Sequence, residues 1–421
     1  MSLHLGGKDQ DMLAGRSGPA AQQAMRILTR MGELFGAESM IDISRAHIDS
    51  AIYLGQAGLA FAERLADQGA RVAVPTTLNV SGVDEHGWQD WAVPAEWAEN
   101  ARRQMAAYQR MGCLPTWTCA PYQTEHAPGF GEQIAWGESN AIVYANSVLG
   151  ARTERYPDLL DICAAITGRV PAYGLHLDAH RVGEVLFRVV GVPESLQRDD
   201  CLYPVLGYLI GARVGDRVPV IEGLEVRPSQ DQLKAFGAAI ASSGNVGLFH
   251  WIGVTPEAPT RKDAFGGGEV TEVTDVTMAQ LRRARQELSS GDGRDLDMIV
   301  LGSPHFSLAE FRALAPLLEG RRRHPTVGFL VTTSWAVAHL ARQAGLLEVF
   351  DDFGGRLTVD TCILASPMLP PGISRLMTNS GKYAYYAPGM LGAQVTFGSL
   401  ADCVRSAVEG RVTLDISQWN G

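Results

Sequence analysis

The segment of residues 114–150 carries the densest group of side chains that could do chemistry. Cys119 lies there in a Cys-Ala-Pro-Tyr turn, and polar residues follow it within an otherwise apolar, core-like run. Those polar residues are Glu138, Ser139, Asn140, Asn146 and Ser147. Buried polar groups need hydrogen-bond partners, so the run predicts either a self-satisfied network or a ligand site. The neighbouring thiol favours the site.

Several predicted strands are followed by ionisable or hydroxylated residues. Short apolar runs predict strands at residues 39–43, 71–75, 114–118, 297–301 and 357–359. The residues after them are Ser44 and His47, then Thr76, Thr77 and Asn79, then Cys119, then Ser303 and His305, and finally Cys362. Because the carboxyl ends of parallel strands meet at one edge of a sheet, these positions could form one pocket. Each alone is weak evidence, since a lone buried cysteine usually packs as a small hydrophobe.

The cysteines divide by their sequence context. Cys119 and Cys362 lie in turn-like loops, from which thiolates can reach an iron–sulfur cluster without close spacing in the sequence. No CxxC or CxxxC pair occurs, which disfavours a zinc ribbon or a ferredoxin-like site. Cys163 lies in a predicted helix, where core packing and ligation are equally good interpretations. The remaining cysteines lack polar neighbours and are predicted to be structural: Cys113, Cys201 and Cys403.

Length and composition indicate a multidomain globular protein. The 421 residues, of which 46% are hydrophobic and 19% charged, exceed one ordinary core and predict two or three domains. The net charge of −10 argues against a nucleic-acid partner. No apolar run reaches the ~18 residues of a membrane span, and the N-terminus lacks the features of a signal peptide. Six cysteines without regular spacing do not suggest a disulfide framework, so we expect a reducing cytoplasm.

Helical and strand-like segments alternate along the chain, which predicts an α/β protein with parallel sheets. Amphipathic spacing predicts helices at residues 20–35, 59–68, 94–111, 156–167, 235–243, 278–288, 308–318 and 336–344. Residues 187–220 read as a strand-rich middle, and residues 246–250 as a buried strand. The polar, glycine-rich stretch 257–275 is predicted to be a loop.

Eight motifs carry a resemblance to the catalytic (large) part of the aconitase X family, in order and in content. They are AHIDS, VPTTLN, LPTWTCAPY, FGEQIAWGESNAIVYANSVLGAR, ITGRVPAYGLHL, LGSPHFS, DTC and TNSGKYAYYAP, and they extend over nearly the whole chain. The resemblance implies an aconitase-like fold with about three α/β lobes and largely parallel sheets around a central site. We expect the lobes to span residues 1–125, 126–275 and 276–421.

The resemblance also implies a lyase that uses an iron–sulfur cluster, with a small swivel domain closing the site. Nothing in this sequence resembles the swivel, so a separate small subunit, and hence a heterodimer, is expected. The activities known in the family are dehydrations of cis-3-hydroxy-L-proline in one branch and of mevalonate 5-phosphate in the other. No nucleic acid and no membrane are expected as partners.

One departure bears on the branch and on the metal ligands. Cys119 and Cys362 match family thiolate positions, but Ser303 stands in Gly302-Ser303-Pro304-His305 where the phosphomevalonate branch has a cysteine. Cys163 could supply the missing thiolate, and the surrounding segment ERYPDLLDIC resembles the hydroxyproline branch. We therefore predict a cis-3-hydroxy-L-proline dehydratase that forms Δ1-pyrroline-2-carboxylate. The alternatives are a mevalonate 5-phosphate dehydratase and, from another class, a non-catalytic α/β small-molecule-binding protein.

Dehydration of a 3-hydroxy amino acid needs a base for the α-proton and an acid for the leaving hydroxyl. The predicted catalytic residues are His47, Glu138, His305 and Lys382. The predicted substrate-binding residues are Ser44, Thr77, Asn79, Ser139, Asn140, Asn146, Ser147, Arg152 and Ser380. Lys382 or Arg152 could bind the carboxylate, and Glu138 or Asp49 could accept the ammonium. The resemblance leaves open that the general base is a serine on the swivel subunit.

Overall fold

Helices and strands alternate along the chain in the computed structural model, which describes residues 3–291 and 293–420. The helices are α1 Gly7–Leu13, α2 Pro19–Leu34, α3 Gln56–Asp67, α4 Ala95–Arg110, α5 Ser139–Tyr144, α6 Leu160–Thr167, α7 Glu194–Gln197, α8 Leu202–Val214, α9 Gln230–Ser243, α10 Arg261–Ala264, α11 Met278–Glu287, α12 Leu308–Leu318, α13 Trp335–Gln343, α14 Leu346–Phe353, α15 Gly381–Leu391 and α16 Leu400–Glu409. A π-helical turn, Ala145–Leu149, extends α5.

The strands are short, between two and six residues each. They are β1 Met40–Asp42, β2 Ala46–Ile48, β3 Thr76–Leu78, β4 Ala135–Trp136, β5 Arg169–Pro171, β6 Val185–Val190, β7 Pro219–Glu222, β8 His250–Trp251, β9 Val273–Thr277, β10 Met298–Leu301, β11 Gly328–Thr333, β12 Arg356–Val359, β13 Arg375–Thr378 and β14 Gln394–Phe397. Single 3-10 turns occur at Asp49–Ala51, Trp88–Asp90, Pro121–Gln123, Gly174–His176, Asp178–His180 and Ser417–Trp419.

Three parallel sheets organise these strands. Their orders are β3-β2-β4, β8-β7-β6-β9 and β12-β11-β10-β13-β14. β1 and β5 form a separate antiparallel pair. The α/β class with largely parallel sheets is thus confirmed. Parallel order matters here because it brings the carboxyl ends of neighbouring strands, and the side chains after them, to the same edge.

The five-stranded sheet is buried on both faces, as parallel sheets are when helices cover them. Ile299 of β10 packs into a core with Phe311 of α12 and Phe350 of α14. Its neighbours in the strand, Met298 and Val300, point the other way into the large core shared with the rest of the chain. This sheet therefore rests rigidly against the remainder of the molecule.

Two strand predictions next to the candidate site are wrong. Residues 71–75 form no strand, because their amides bond to separate elements: Val72 N donates to Met111 O at 2.9 Å and Ala73 N to Ala165 O at 2.7 Å. Thr76 and Thr77 consequently lie inside β3 and not after a strand. Residues 114–118 form only one bridge, between Leu114 and Thr77. Trp117 has a left-handed φ of 39°, which interrupts any extended run.

The predictions for the first strand and for the middle of the chain also need correction. The strand at residues 39–43 exists as β1, but it pairs antiparallel outside the three main sheets. His47 lies within β2, a strand that the sequence pattern did not indicate. Residues 187–220 are not strand-rich, since α7 and α8 lie between β6 and β7. α8 is apolar on nearly all sides and buried, so it lacks the helical period that would have identified it.

The helices predicted from amphipathic spacing are present, with bounds shifted by a few residues at some ends. The predicted strand at residues 246–250 shrinks to β8, and the loop at residues 257–275 contains α10 and part of β9. Among the residues described, no helix has the length and apolar character needed to cross a membrane.

Candidate active site

Three polar residues follow neighbouring strands of the sheet β3-β2-β4 at one edge. Asp49 comes directly after β2, Asn79 after β3 and Glu138 two residues after β4. The backbone keeps them adjacent, since Asn79 N donates to Ile48 O at 3.0 Å and Gly137 N donates to His47 O at 3.0 Å. Asn79 in turn donates a side-chain hydrogen bond to the Asp49 carboxylate.

The five-stranded sheet contributes a second set of residues from the ends of its own strands. His305 follows β10, Cys362 follows β12, and Lys382 lies in the first turn of α15 after β13. Asp360, just before Cys362, has a left-handed φ of 61°. Its Oδ1 accepts from Trp335 N at 2.8 Å and its carbonyl accepts from Ser81 N at 2.8 Å. The Cys362 loop is thereby fixed against the start of α13 and against the segment that follows β3.

The structure brings Cys119 and Cys362 into one small cluster with Val80 and Ala365. The backbone N–H of His305 donates to Cys119 Sγ at 3.2 Å. Burial and, to a smaller extent, the Glu138 carboxylate raise the pKa of the Cys119 thiol to about 12, and the Lys382 ammonium opposes that rise. Burial also raises the pKa of Cys362. Both thiols therefore stay protonated unless a cation or a metal stabilises the thiolate.

Both oxygens of the Glu138 carboxylate have bonding partners within the chain. It caps the N-terminus of α5, where Oε2 accepts from Ala141 N at 2.9 Å. Asn140 donates to Oε2 as well, and also to Cys119 O at 3.1 Å. Lys382 forms an ion pair with Oε1. Burial alone would lower the pKa of Lys382, but Glu138 outweighs it and raises that pKa. Lys382 is therefore a permanent cation beside the thiols.

Two further predicted residues, Ser139 and Ser380, belong to this network, and Tyr122 joins it as well. Tyr122 OH donates to Asn140 Oδ1 at 2.7 Å, which fixes the orientation of the amide. Ser139 is 3.4 Å from Glu138 Oε1 through its Oγ. Ser380 caps α15, since its Oγ accepts from Tyr383 N at 3.0 Å, and it donates to Ser303 O. Ser380 thereby ties the helix that carries Lys382 to the Ser303–His305 turn.

The two histidines lie behind this layer with their side chains buried. His305 Nε2 is 3.0 Å from Thr361 O, and its Nδ1 is 3.2 Å from Thr118 Oγ1. His47 Nδ1 is 2.8 Å from Thr77 Oγ1. Burial lowers the pKa of His47 to about 3 and that of His305 to about 4, so both rings are neutral. Their contacts place them as supports of the strand ends.

The structure does not bring four of the predicted substrate-binding residues to this cluster. Asn146 accepts from Arg181 Nη1 at 3.1 Å and donates to Gly247 O at 2.9 Å, while Ser147 Oγ accepts from Phe249 N at 2.9 Å. Arg152 pairs with Asp178. Ser44 is exposed, and its Oγ donates to Glu132 at 3.0 Å. All four side chains are thus already bonded to other residues of this chain.

Cys163 is also placed away from the thiol cluster. It is fully buried in α6, within the large hydrophobic core, and its pKa is raised by burial and by Asp161. Across residues 3–291 and 293–420, no group of three or more His, Cys, Asp or Glu side chains is arranged to hold a metal ion. The described chain therefore offers two thiols at one place, Cys119 and Cys362, as candidate ligands.

The sequence-based prediction gave one group near the site too little weight and missed another. Asp49 was weighed only as an ammonium acceptor, although an acid directly after a buried strand is the signal that should have placed it in the site. Lys234 is buried and pairs with Asp231 at 2.9 Å and with Glu310. Its Nζ is 3.4 Å from His305 O, so it fixes the His305 turn. Asp231 is only three residues away in α9, but no local sequence pattern marks the contacts of Lys234 with Glu310 and His305.

Family comparison agrees with this architecture. Models of the aconitase X first, second and third domains match residues 2–179, 183–286 and 296–409. The chain belongs to the aconitase X family.

Named relatives fall into two groups. The chain is 50% identical over 414 residues to a cis-3-hydroxy-L-proline dehydratase of Pseudomonas aeruginosa, covering 98% of this chain and 71% of that protein. It is 38% identical over 405 residues to a phosphomevalonate dehydratase large subunit of Methanothermobacter thermautotrophicus, covering 96% and 98%. Both relatives are dehydratases, so the family to which the chain belongs is one of hydro-lyases.

A solved structure shares the fold. The holo-form of aconitase X from Thermococcus kodakaraensis superposes with a TM-score of 0.86 at 34% sequence identity, covering 96% of this chain and 100% of that one. The aconitase-like fold class is therefore confirmed.

Proposed function

We propose that this chain is the catalytic subunit of a dehydratase that removes water from cis-3-hydroxy-L-proline and yields Δ1-pyrroline-2-carboxylate. The observation that carries the proposal is the buried Lys382–Glu138 ion pair beside Cys119. It places the ammonium of Lys382 beside Cys119, where a substrate carboxylate could bind it. The 50% identity to a cis-3-hydroxy-L-proline dehydratase supports the same substrate.

The donor set fits an iron–sulfur cluster held through Cys119 and Cys362. Two soft thiol donors share one cluster of side chains, and the His305 N–H already donates to one of the sulfurs. Lys382 would stabilise their thiolates. A bound cluster would supply a Lewis acid for the leaving hydroxyl.

The residues of this chain would bind the substrate and hold the binding groups in position. Lys382 binds the substrate carboxylate, since an ammonium has three donors and Glu138 uses only part of them. Glu138 holds Lys382 in place and is itself oriented by the α5 N-terminus and by Asn140. Asn79, directly after β3, orients the Asp49 carboxylate, and Thr77, inside β3, holds the His47 ring. His47 and His305 remain neutral and hold the strand ends.

A small swivel subunit completes the enzyme in this proposal. The chain spans 71% of the Pseudomonas aeruginosa dehydratase but 98% of a relative that is named a large subunit. The name of that relative, a large subunit, supports a small-subunit partner and hence a heterodimer. The general base would then come from the partner or from an acid of this chain.

The mevalonate 5-phosphate alternative has weaker support. A phosphate dianion usually recruits two or more cations or a helix N-terminus. Two buried lysines are described near the thiols, and each is balanced by carboxylates: Lys382 by Glu138, and Lys234 by Asp231 and Glu310. Little positive charge is therefore left over for a dianion. Identity to the phosphomevalonate enzymes is also lower, at 38% for the Methanothermobacter thermautotrophicus protein.

A side-by-side assay tests the proposal. The chain, co-expressed with its small subunit under anaerobic conditions, is offered cis-3-hydroxy-L-proline and mevalonate 5-phosphate separately. Formation of the cyclic imine from the amino acid alone is the expected result. Turnover of the phosphorylated substrate in preference would overturn the substrate assignment, and turnover of neither would overturn the function.

A further inference from the structure

A cavity of about 330 Å³ opens beside the thiol cluster, and Asp49 lies in its wall. Its other lining residues include Ile52, Leu54, Gly55, Asp158 and Leu159. Ile52 also packs against the cluster that contains Cys119, so the cavity and the thiols share a wall. The volume falls in the range of small-molecule sites.

Asp49 is held rigidly although its carboxylate is free on one side. Asp161 accepts from Asp49 N at 2.7 Å and from Ser50 N at 3.0 Å, which fixes the turn after β2. Gly137 is required beside it, because a Cβ there would lie 2.8 Å from both Asp49 Cβ and Asp161 Oδ2. Leu159, in the same cavity, has a left-handed φ of 73°. Strained residues of this kind persist where surrounding contacts hold them.

Glu138 and Asp49 are the two carboxylates that could accept a hydrogen bond from an ammonium. They differ in how many of their oxygens are already bonded. Glu138 uses both oxygens, for Lys382 on one side and for Asn140 and the Ala141 amide on the other. The Asp49 carboxylate has one partner within the described residues, the Asn79 amide on Oδ1. Asp49 Oδ2 is therefore the acceptor that remains available beside the cavity.

The local charge also favours a cationic ligand group. Glu138, Asp161 and Asp158 all act on Asp49 as like charges, and Lys382 opposes them. Burial and these carboxylates raise the pKa of Asp49 to about 8. A cation next to Asp49 would relieve that repulsion and favour the ionised carboxylate.

We propose that Asp49 accepts a hydrogen bond from the ring ammonium of the substrate and so selects a cyclic amino acid over a phosphorylated hydroxy acid. This inference rests on the proposed function for the identity of the substrate. Lys382 and Asp49 then bind the two ends of the amino acid, the carboxylate and the nitrogen.

The test compares two ligands that differ at the nitrogen. L-Proline and cyclopentanecarboxylate share the ring and the carboxylate, but only proline carries the ammonium. Their binding to the assembled enzyme is measured by calorimetry for wild type, Asp49→Asn and Asp49→Ser. Wild type should prefer proline, and both variants should lose that preference by about 10-fold to 150-fold, the loss of one charge-assisted hydrogen bond.

Asp158→Asn is the matched control, because it removes the same charge from an exposed position in the same cavity. It should keep most of the preference if Asp49 contacts the nitrogen directly. Equal binding of both ligands by wild type, an unchanged preference in the Asp49 variants, or an equal loss in Asp158→Asn would each overturn the inference. The wild-type comparison requires no variant to fold. Failure of turnover with a retained preference would instead count against the proposed function alone.

Discussion

The ammonium of Lys382 is ion-paired with the carboxylate of Glu138, although 244 residues separate them in the chain. The pair joins the first turn of α15 to the N-terminus of α5, and both side chains are almost completely buried. A buried charge that loses its partner is costly, so each of the two side chains depends on the other. A substitution of either residue would therefore leave the other charge buried without its partner.

Lys382→Ala should reduce kcat/KM for cis-3-hydroxy-L-proline by about 10-fold to 150-fold. The reason is the loss of a charged hydrogen bond to the substrate carboxylate, which corresponds to roughly 1.5–3 kcal/mol in the transition state. Steady-state kinetics of the assembled enzyme measure the effect. Lys262→Ala, which removes an exposed cation elsewhere, is the control and should leave kcat/KM unchanged.

Iron content should depend on Cys119 and Cys362 together. Alanine at either position removes one of the two thiols that share a cluster, so we expect loss of iron and of activity in both variants. Colorimetric iron determination on anaerobically purified protein gives the stoichiometry. If both variants kept the iron content of wild type, the proposed ligands would be wrong.

Cys163→Ala and Cys403→Ala test the same proposal with thiols that are not expected to bind iron. Both thiols are fully buried in hydrophobic cores and lie outside the Cys119–Cys362 cluster. Iron should be retained in both, with some loss of stability from the small cavity that each change leaves. Loss of iron in Cys163→Ala alone would identify that thiol as the third ligand.

The sequence pattern predicted that residues following several strands come together in one pocket. It did not predict correctly which residues follow each strand. Cys119 and Cys362 meet in one cluster of side chains. Cys362 follows β12, whereas the segment before Cys119 is held to β3 by Thr118 N, which donates to Leu78 O at 3.1 Å. His47 was expected after a strand and lies inside β2, since a three-residue strand gives almost no periodic signal. That shift moves Asp49 to the strand end and into the site.

The polar run at residues 138–147 shows a second limit. The pattern allowed either a self-satisfied network or a ligand site, and the structure divides the run between the two. Glu138 and Asn140 join the thiol cluster, while Asn146 and Ser147 bond to Arg181, Gly247 and Phe249. Those partners lie far along the chain, so local composition could not separate the two halves.

The chain purified alone should be folded but nearly inactive, and adding the small subunit should restore turnover. The physical reason is that a site formed by residues from two sheets needs closure to exclude water from the reacting groups. Activity is measured for each subunit and for the mixture, with size-exclusion chromatography to follow assembly. Full activity of this polypeptide by itself would contradict the heterodimer.

Acid should weaken the fold through His47. Burial lowers the pKa of His47 to about 3, whereas an unfolded histidine titrates near ~6.5. Between those values the unfolded state binds a proton that the folded state excludes, so stability is complete above ~6.5 and falls as the pH drops. From pH 7 to pH 5 this one group should lower the free energy of unfolding by about 2 kcal/mol.

His47→Gln isolates that contribution, because glutamine can still hydrogen-bond Thr77 but does not titrate. Urea unfolding of both proteins at pH 7 and pH 5, followed by tryptophan fluorescence, gives the comparison, and Trp136 packs near His47. All other titrating groups are shared, so their contributions cancel between the two proteins. The variant should lose about 2 kcal/mol less than wild type on acidification. Parallel losses in both proteins would mean that His47 already carries a proton in the folded state.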